Sequence, residues 1–172
     1  MSELLKIIKG RRSVRWYQDK AIPSGIIEKI KQALIWAASA GNLQSRKFFF
    51  VFNKDLKEQL ANTHGSTRWF VAQAPLVIVG CADEKKIEKY GQRGRSLFAI
   101  NDVSLSMQNA MLLAHEQGLG SCWVGSFDEG KVRKILKLPK HLRPIVILPI
   151  GYTKEITEDK HKIADGAVIE IK

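Results

Sequence analysis

Residues 37–52 read AASAGNLQSRKFFFVF and change character twice. Small and polar side chains surround Gly41, with an apolar helical stretch before them and a run of aromatic residues after. Read plainly, this is a helix-to-strand connection, because Ser-Ala-Gly-Asn is good helix-stopping chemistry. Read as a binding turn, it carries hydroxyl and amide groups on Ser39, Asn42 and Gln44, which both donate and accept, beside a glycine that lets the backbone approach a ligand.

Working outward, residues 24–39 place Ile26, Ile27, Ile30, Ala33, Leu34 and Ala37 at helical spacing, which predicts a core-facing helix. FFFVF (48–52) has the short, aromatic and β-branched composition of a buried strand, and PLVIVGCA (75–82) repeats it. DLKEQLAN and TRWFVAQA, lying between them, predict short helices. The longest periodic stretch covers 96–117, with Ile100, Val103, Met107, Met111 and Ala114 on one side and Gly118 as the helix-ending residue. Residues 121–125 then predict a strand, Asp128 a cap for GKVRKIL, and PIVILPIGY a strand broken by Pro149. A polar tail over 153–166 leads to AVIEI, a last alternating strand. Strands separated by helices predict a mixed α+β or three-layer α/β domain, spanning 1–172 as one unit. The tail strand must pair with something distant. It either returns to the chain's own sheet or, as an arm over 153–172, wraps a partner subunit.

The composition bounds these choices. A chain of 172 residues with 45% apolar content suits one globular domain. No apolar run reaches the roughly 20 residues of a membrane helix, so no membrane association is expected. MSELLKIIKGRR predicts an amphipathic helix with Leu4, Leu5, Ile7 and Ile8 inward, not a secretory signal, and a cytoplasmic location. Cys81 and Cys122 lie in predicted strands as buried thiols, and four scattered histidines suggest no metal. The net charge of +11 fits phosphate-bearing small molecules, nucleic acid or a lysine-rich solvated surface. The lysines sit singly on polar helix faces, and no basic helix with interleaved aromatics occurs, so no nucleic-acid partner is expected.

Two further segments have the chemistry to bind. Arg11-Arg12-Ser13-Val14-Arg15 concentrates three guanidiniums and a hydroxyl, and guanidinium forks match phosphate oxygens. In an extended chain Arg11, Ser13 and Arg15 share one side, so they could grip one anionic ligand; the alternative is a basic loop that favours a helix dipole. Val124, Gly125 and Ser126 end a strand before a capped helix, where free backbone amides meet an acceptor, or simply make a routine turn.

Arg-Arg-Ser-x-Arg, Ser-Ala-Gly-Asn-x-Gln, Asp102 with Gln108 and Asn109, Gly-Leu-Gly-Ser-Cys-Trp-Val-Gly (118–125) and 143–152, in this order over residues 7–152, resemble the nitroreductase family of FMN-dependent oxidoreductases. The resemblance implies an intertwined homodimer with a mainly antiparallel sheet flanked by helices and two FMN sites at the subunit interface. It also implies site residues. Arg11, Arg12, Ser13 and Arg15 match the phosphate, ribityl and pyrimidine side, with Arg15 stabilising charge on the reduced flavin. Ser39, Ala40, Gly41, Asn42 and Gln44 match positions donated by the other subunit. Val124, Gly125 and Ser126 match the turn behind the ring, and Lys160 or Lys162 of the tail would complete the phosphate site. NADH or NADPH would be the transient donor, and a nitroaromatic, quinone or similar small molecule the acceptor. The alternative is a flavin-holding regulatory or storage protein without turnover. The chain departs from the family at Ala38, where proline is usual, and at Ser45-Arg46, where Pro-Trp is usual, and its shortness predicts an open pocket.

Overall fold

A computed structural model describes residues 1–64, 68–155, 167, 169 and 170. Four strands, β1 (Arg46–Val51), β2 (Leu76–Asp83), β3 (Leu119–Ser121) and β4 (Leu142–Tyr152), form one antiparallel sheet in the order β1-β2-β4-β3. Around it lie α1 (Glu3–Gly10), α2 (Ser24–Ile35), α3 (Lys54–Ala61), α4 (Trp69–Gln73), the single turn α5 (Gly91–Arg93), α6 (Ala99–Glu116) and α7 (Glu129–Ile135).

Every residue of β2 is buried, because the strand is apolar on both faces. Alternation divides it: Leu76, Ile78 and Ala82 join Ile30 and Leu34 of α2 and Val103, Met107 and Ala110 of α6 in one core. Val77, Val79 and Cys81 face the other way, into a second core with Leu60 of α3, Phe70 and Val71 of α4 and Val132 of α7. Three layers, one of the arrangements expected from the alternation of strands and helices, are therefore present. Burying one such aliphatic side chain stabilises the fold by about 1.5–3 kcal/mol.

Helix limits follow their local chemistry. Ser2 caps α1 by accepting from the Leu5 N–H, Asn53 caps α3 by accepting from Leu56, and Asp128 caps α7 by accepting from Lys131 at 2.8 Å. Between β2 and α6 the chain makes only short turns, the last a π-helical turn over Gly94–Phe98 that runs into α6.

Four expectations are corrected. Leu4, Leu5 and Ile8 of α1 are exposed, Leu4 to 62%, because α2 and α6 already cover this side of the sheet. Helix α2 stops at Ile35, not near Ser39, leaving a ten-residue connection to β1 (45 − 36 + 1 = 10). Strand β3 covers Leu119–Ser121, and of residues 121–125 only Val124 rejoins the sheet, through a bridge to Ile147. Pro149 does not break β4. A residue's N–H and C=O point to the same side of a strand, and the Pro149 carbonyl accepts from Cys122 just past the end of β3. The missing N–H therefore falls where the ladder has already ended. The tail strand and the lysines at 160 and 162 lie outside the described residues, apart from Ala167, Ile169 and Glu170, which belong to no strand.

Candidate functional site

The arginine segment leaves α1 as extended chain. Arg11, which ends the helix, has φ −61° and ψ 127°, and the Val14 N–H donates to the Ser121 carbonyl at 3.0 Å, joining the segment to β3. Val14 is buried while Ser13 and Arg15 are exposed, which is the alternation an extended chain imposes. Arg12 turns back, its guanidinium donating to the carbonyls of Lys9 and Arg11 at the end of α1. The guanidiniums of Arg11 and Arg15 have no hydrogen bond or ion pair among the described residues.

Two contacts fix this segment from behind. Tyr17 is fully buried, its hydroxyl lies 2.7 Å from the Val14 carbonyl and 3.2 Å from that of Pro149, and its N–H donates to Gln73 Oε1. Glu155, at the root of the tail, accepts through one carboxylate oxygen from the N–H groups of Arg15 at 2.8 Å and Trp16 at 3.1 Å. A cleft of about 240 Å³ opens beside the segment, lined by Arg11, Arg12, His115, Ser121, Thr153 and Glu155 among others. Burial first, then the charges of Arg11 and Arg12, hold His115 below the usual histidine range.

The turn at Val124, Gly125 and Ser126 lies on the same side of the sheet. Val124 is buried in the core that holds Val14 and Tyr17, whereas Gly125 and Ser126 are exposed. Burial pushes the Cys122 thiol up, and Arg15, Arg68 and Arg11 pull it back, so these cations lie within electrostatic range of the strand leading into the turn. The first and third predicted segments thus converge.

The second segment is the bend of the opening stretch. Gly41, Asn42 and Gln44 have φ of 55°, 54° and 51°, so two side-chain-bearing residues sit in the left-handed region within four positions. At Gly41 a side chain would be strained at this φ and would have to displace the Tyr90 hydroxyl, 2.5 Å from where a Cβ would be. The Ser39 hydroxyl accepts from the Gln44 N–H at 3.0 Å. Asp102 of α6 accepts from the Ala40 N–H at 2.9 Å, the Ser45 N–H at 3.1 Å and the Ser45 hydroxyl at 2.7 Å. Arg46, buried, donates to the carbonyls of Ile35, Ala37 and Ala38, which are orphaned at the end of α2. Asn42 and Gln44 face outward, exposed.

Within one chain the bend and the arginine segment do not meet. The bend precedes β1 and the arginine segment joins β3, the two outer strands of the sheet, three strand spacings or about 14 Å apart. Along α6 the bend is held at Asp102 while His115 borders the arginine cleft, 13 residues or about 20 Å further on.

Sequence reading missed the holding residues. Asp102 was seen in a motif, yet its place on the helix face with Ala99, Val103, Ser106 and Ala110, all buried, is the readable signal: an acid in an apolar stripe needs donors. For Glu155, one acid in a polar tail, no such signal exists.

The sequence profile of the nitroreductase family matches residues 8–67 and 62–152. A relative from Methanothermobacter thermautotrophicus, whose name joins NADH dehydrogenase with NAD(P)H nitroreductase, is 34% identical over 158 residues, covering 89% of this chain and 78% of its own. The oxygen-insensitive NADPH nitroreductase of Salmonella typhimurium is 27% identical over 98% of this chain and 73% of its own. The solved structure of an FMN-dependent nitroreductase from Clostridium difficile superposes with a TM-score of 0.84 at 28% identity, covering 96% of this chain and 98% of that one. These matches show that the three-layer α+β domain is a nitroreductase fold. The chain belongs to the nitroreductase family.

Proposed function

We propose that this protein is an FMN-dependent oxidoreductase that takes hydride from NADH or NADPH and reduces a nitroaromatic, a quinone or a related small acceptor, working as a homodimer. The observation that carries the reading is the placement of Arg11 and Arg15, whose guanidiniums have no hydrogen bond or ion pair among the described residues, at one sheet edge and the strained polar bend at the other. Segments on opposite edges of one sheet come together around one ligand when a second copy supplies one of them. The exposed apolar side chains of α1, Leu4, Leu5 and Ile8, support a surface that a second copy covers.

The residues fit a phosphorylated planar ring. Arg11 and Ser13, with Arg12 beside them and Lys160 or Lys162 of the tail, would hold the phosphate; Arg15 would keep a fixed cation at the pyrimidine edge. Val124, Gly125 and Ser126 would back the ring with main-chain groups, and Ser39, Ala40, Gly41, Asn42 and Gln44 of the partner would close it. FMN, when bound, supplies the hydride-accepting chemistry, and the chain supplies placement and charge. No carboxylate or imidazole is needed as a dedicated acid or base. The arm over 153–172 would wrap the partner, rooted at Glu155.

Anaerobic titration of FMN-loaded protein with each nicotinamide, followed by a panel of acceptors, tests this reading. Bleaching of the flavin absorbance and its return with an acceptor are expected. A yellow protein that neither nicotinamide bleaches would instead be a flavin holder, and a colourless protein that ignores FMN would refute both.

A further inference from the structure

Left-handed backbone at Asn42 and Gln44 persists only where the surroundings over-determine it. Here one carboxylate ties the chain on both sides of these two residues. Asp102 is 2% exposed and spends its two oxygens on three donors of the bend, Ala40 N–H, Ser45 N–H and the Ser45 hydroxyl. Arg46 closes the other end by tying three carbonyls of the α2 terminus, and its guanidinium, stripped of water by burial, is steadied by the charge of Asp102. A proline at 45 would have no N–H to give Asp102. Here the stiffness comes from a buried polar clamp.

We propose that Asp102, acting through Ser45 and with Arg46, is the positioning residue that shapes the bend at 39–44 for the FMN held by the partner protomer. The proposal rests on the two-chain site described above. It assigns Asp102 an effect in trans: the carboxylate governs flavin binding in the partner's arginine cradle. Asn at 102 keeps one acceptor oxygen and turns an NH₂ group toward donors, so the bend would relax.

FMN affinity of Asp102→Asn and Ser45→Ala, with thermal midpoints measured alongside, gives the first test. Asp102→Asn is expected to bind FMN at least about tenfold more weakly, and Ser45→Ala, which loses one bond of three, about two- to fivefold. The second test separates positioning from mere stability. Differently tagged Arg15→Ala and Asp102→Asn chains are co-purified as mixed dimers. In one site of such a dimer both the cradle and the bend are intact, so one tight FMN per dimer should return, although neither parent dimer binds tightly. If Asp102→Asn does not fold, Ser45→Ala takes its place in the pairing. A mixed dimer with no recovered site, or an Asp102→Asn protein that binds FMN as the native one does, overturns the inference alone. A native protein that takes up no FMN overturns the function reading, and this inference with it.

Discussion

Val14 rests so closely on Gly120 that a Cβ at position 120 would lie 2.7 Å from the Cβ of the valine, with both valine methyl carbons at 2.8 Å. This contact, in line with the bond from Val14 N–H to the Ser121 carbonyl, sets how deep the arginine segment lies against β3. Gly120→Ala must push the segment outward. The expected cost is about 1–3 kcal/mol in urea denaturation, as for overpacking elsewhere, with weaker FMN uptake in titration. Native-like values for both would show that the segment can shift freely.

Arg15 is exposed, and although its backbone N–H donates to Glu155, its guanidinium has no hydrogen bond or ion pair among the described residues, so its charge is available to a ligand. Arg15→Ala should leave the melting temperature almost unchanged, because little packing is lost, and should both loosen FMN and slow flavin reduction by NAD(P)H. Stopped-flow reduction and an FMN titration measure the two effects. Unchanged values in both would remove the assignment.

The Tyr17 hydroxyl bonds the Val14 and Pro149 carbonyls from a fully buried position. Tyr17→Phe takes the hydroxyl donor from the Val14 carbonyl and leaves the Pro149 carbonyl with the Cys122 N–H, and is expected to cost about 1–3 kcal/mol, read by chemical denaturation. FMN affinity should fall with it, since the same bonds hold the arginine segment. A variant as stable as the native protein would mean that water replaces the hydroxyl.

Alkaline pH should unfold the protein through groups that stay protonated inside it. Burial pushes the Cys81 thiol up to about 12 and drives the Tyr17 phenol upward as well. In the unfolded chain these groups ionise near about 8.5 and about 10. The unfolded state therefore releases protons that the folded state keeps. This stabilisation is complete below about pH 8.5 and is lost as pH rises toward 12. Denaturation midpoints from about pH 8 to about pH 11 should fall steadily, and Cys81→Ala should flatten the fall. A midpoint independent of pH in this window would contradict the burial of these groups.

The elements were largely legible in the sequence because their signals are local. The stripe from Ile26 to Leu34, the two-faced apolar run of β2 and the Asp128 cap each depend on residues a few positions apart. Pro149 misled, because whether a strand tolerates proline depends on which neighbour its nitrogen faces, and that neighbour, Cys122, is 27 residues away (149 − 122 = 27). The exposed face of α1 misled for a similar reason: amphipathic spacing says that a face will be covered and does not say by which chain.

For the candidate site, the sequence by itself determined the residue types: three arginines and a serine in one extended run, hydroxyls and amides around Gly41, and a glycine turn before a capped helix. Only the tertiary structure decided their arrangement. It brought the first and third runs to β3, set the second at β1, and revealed Asp102 and Arg46 as what holds the bend. The physical reason is that periodicity and capping act over one or two turns of chain, whereas β1 pairs with β2 across 26 or more positions (77 − 51 = 26) and Asp102 bonds Ser45 across 57, and these contacts form only when the whole core closes.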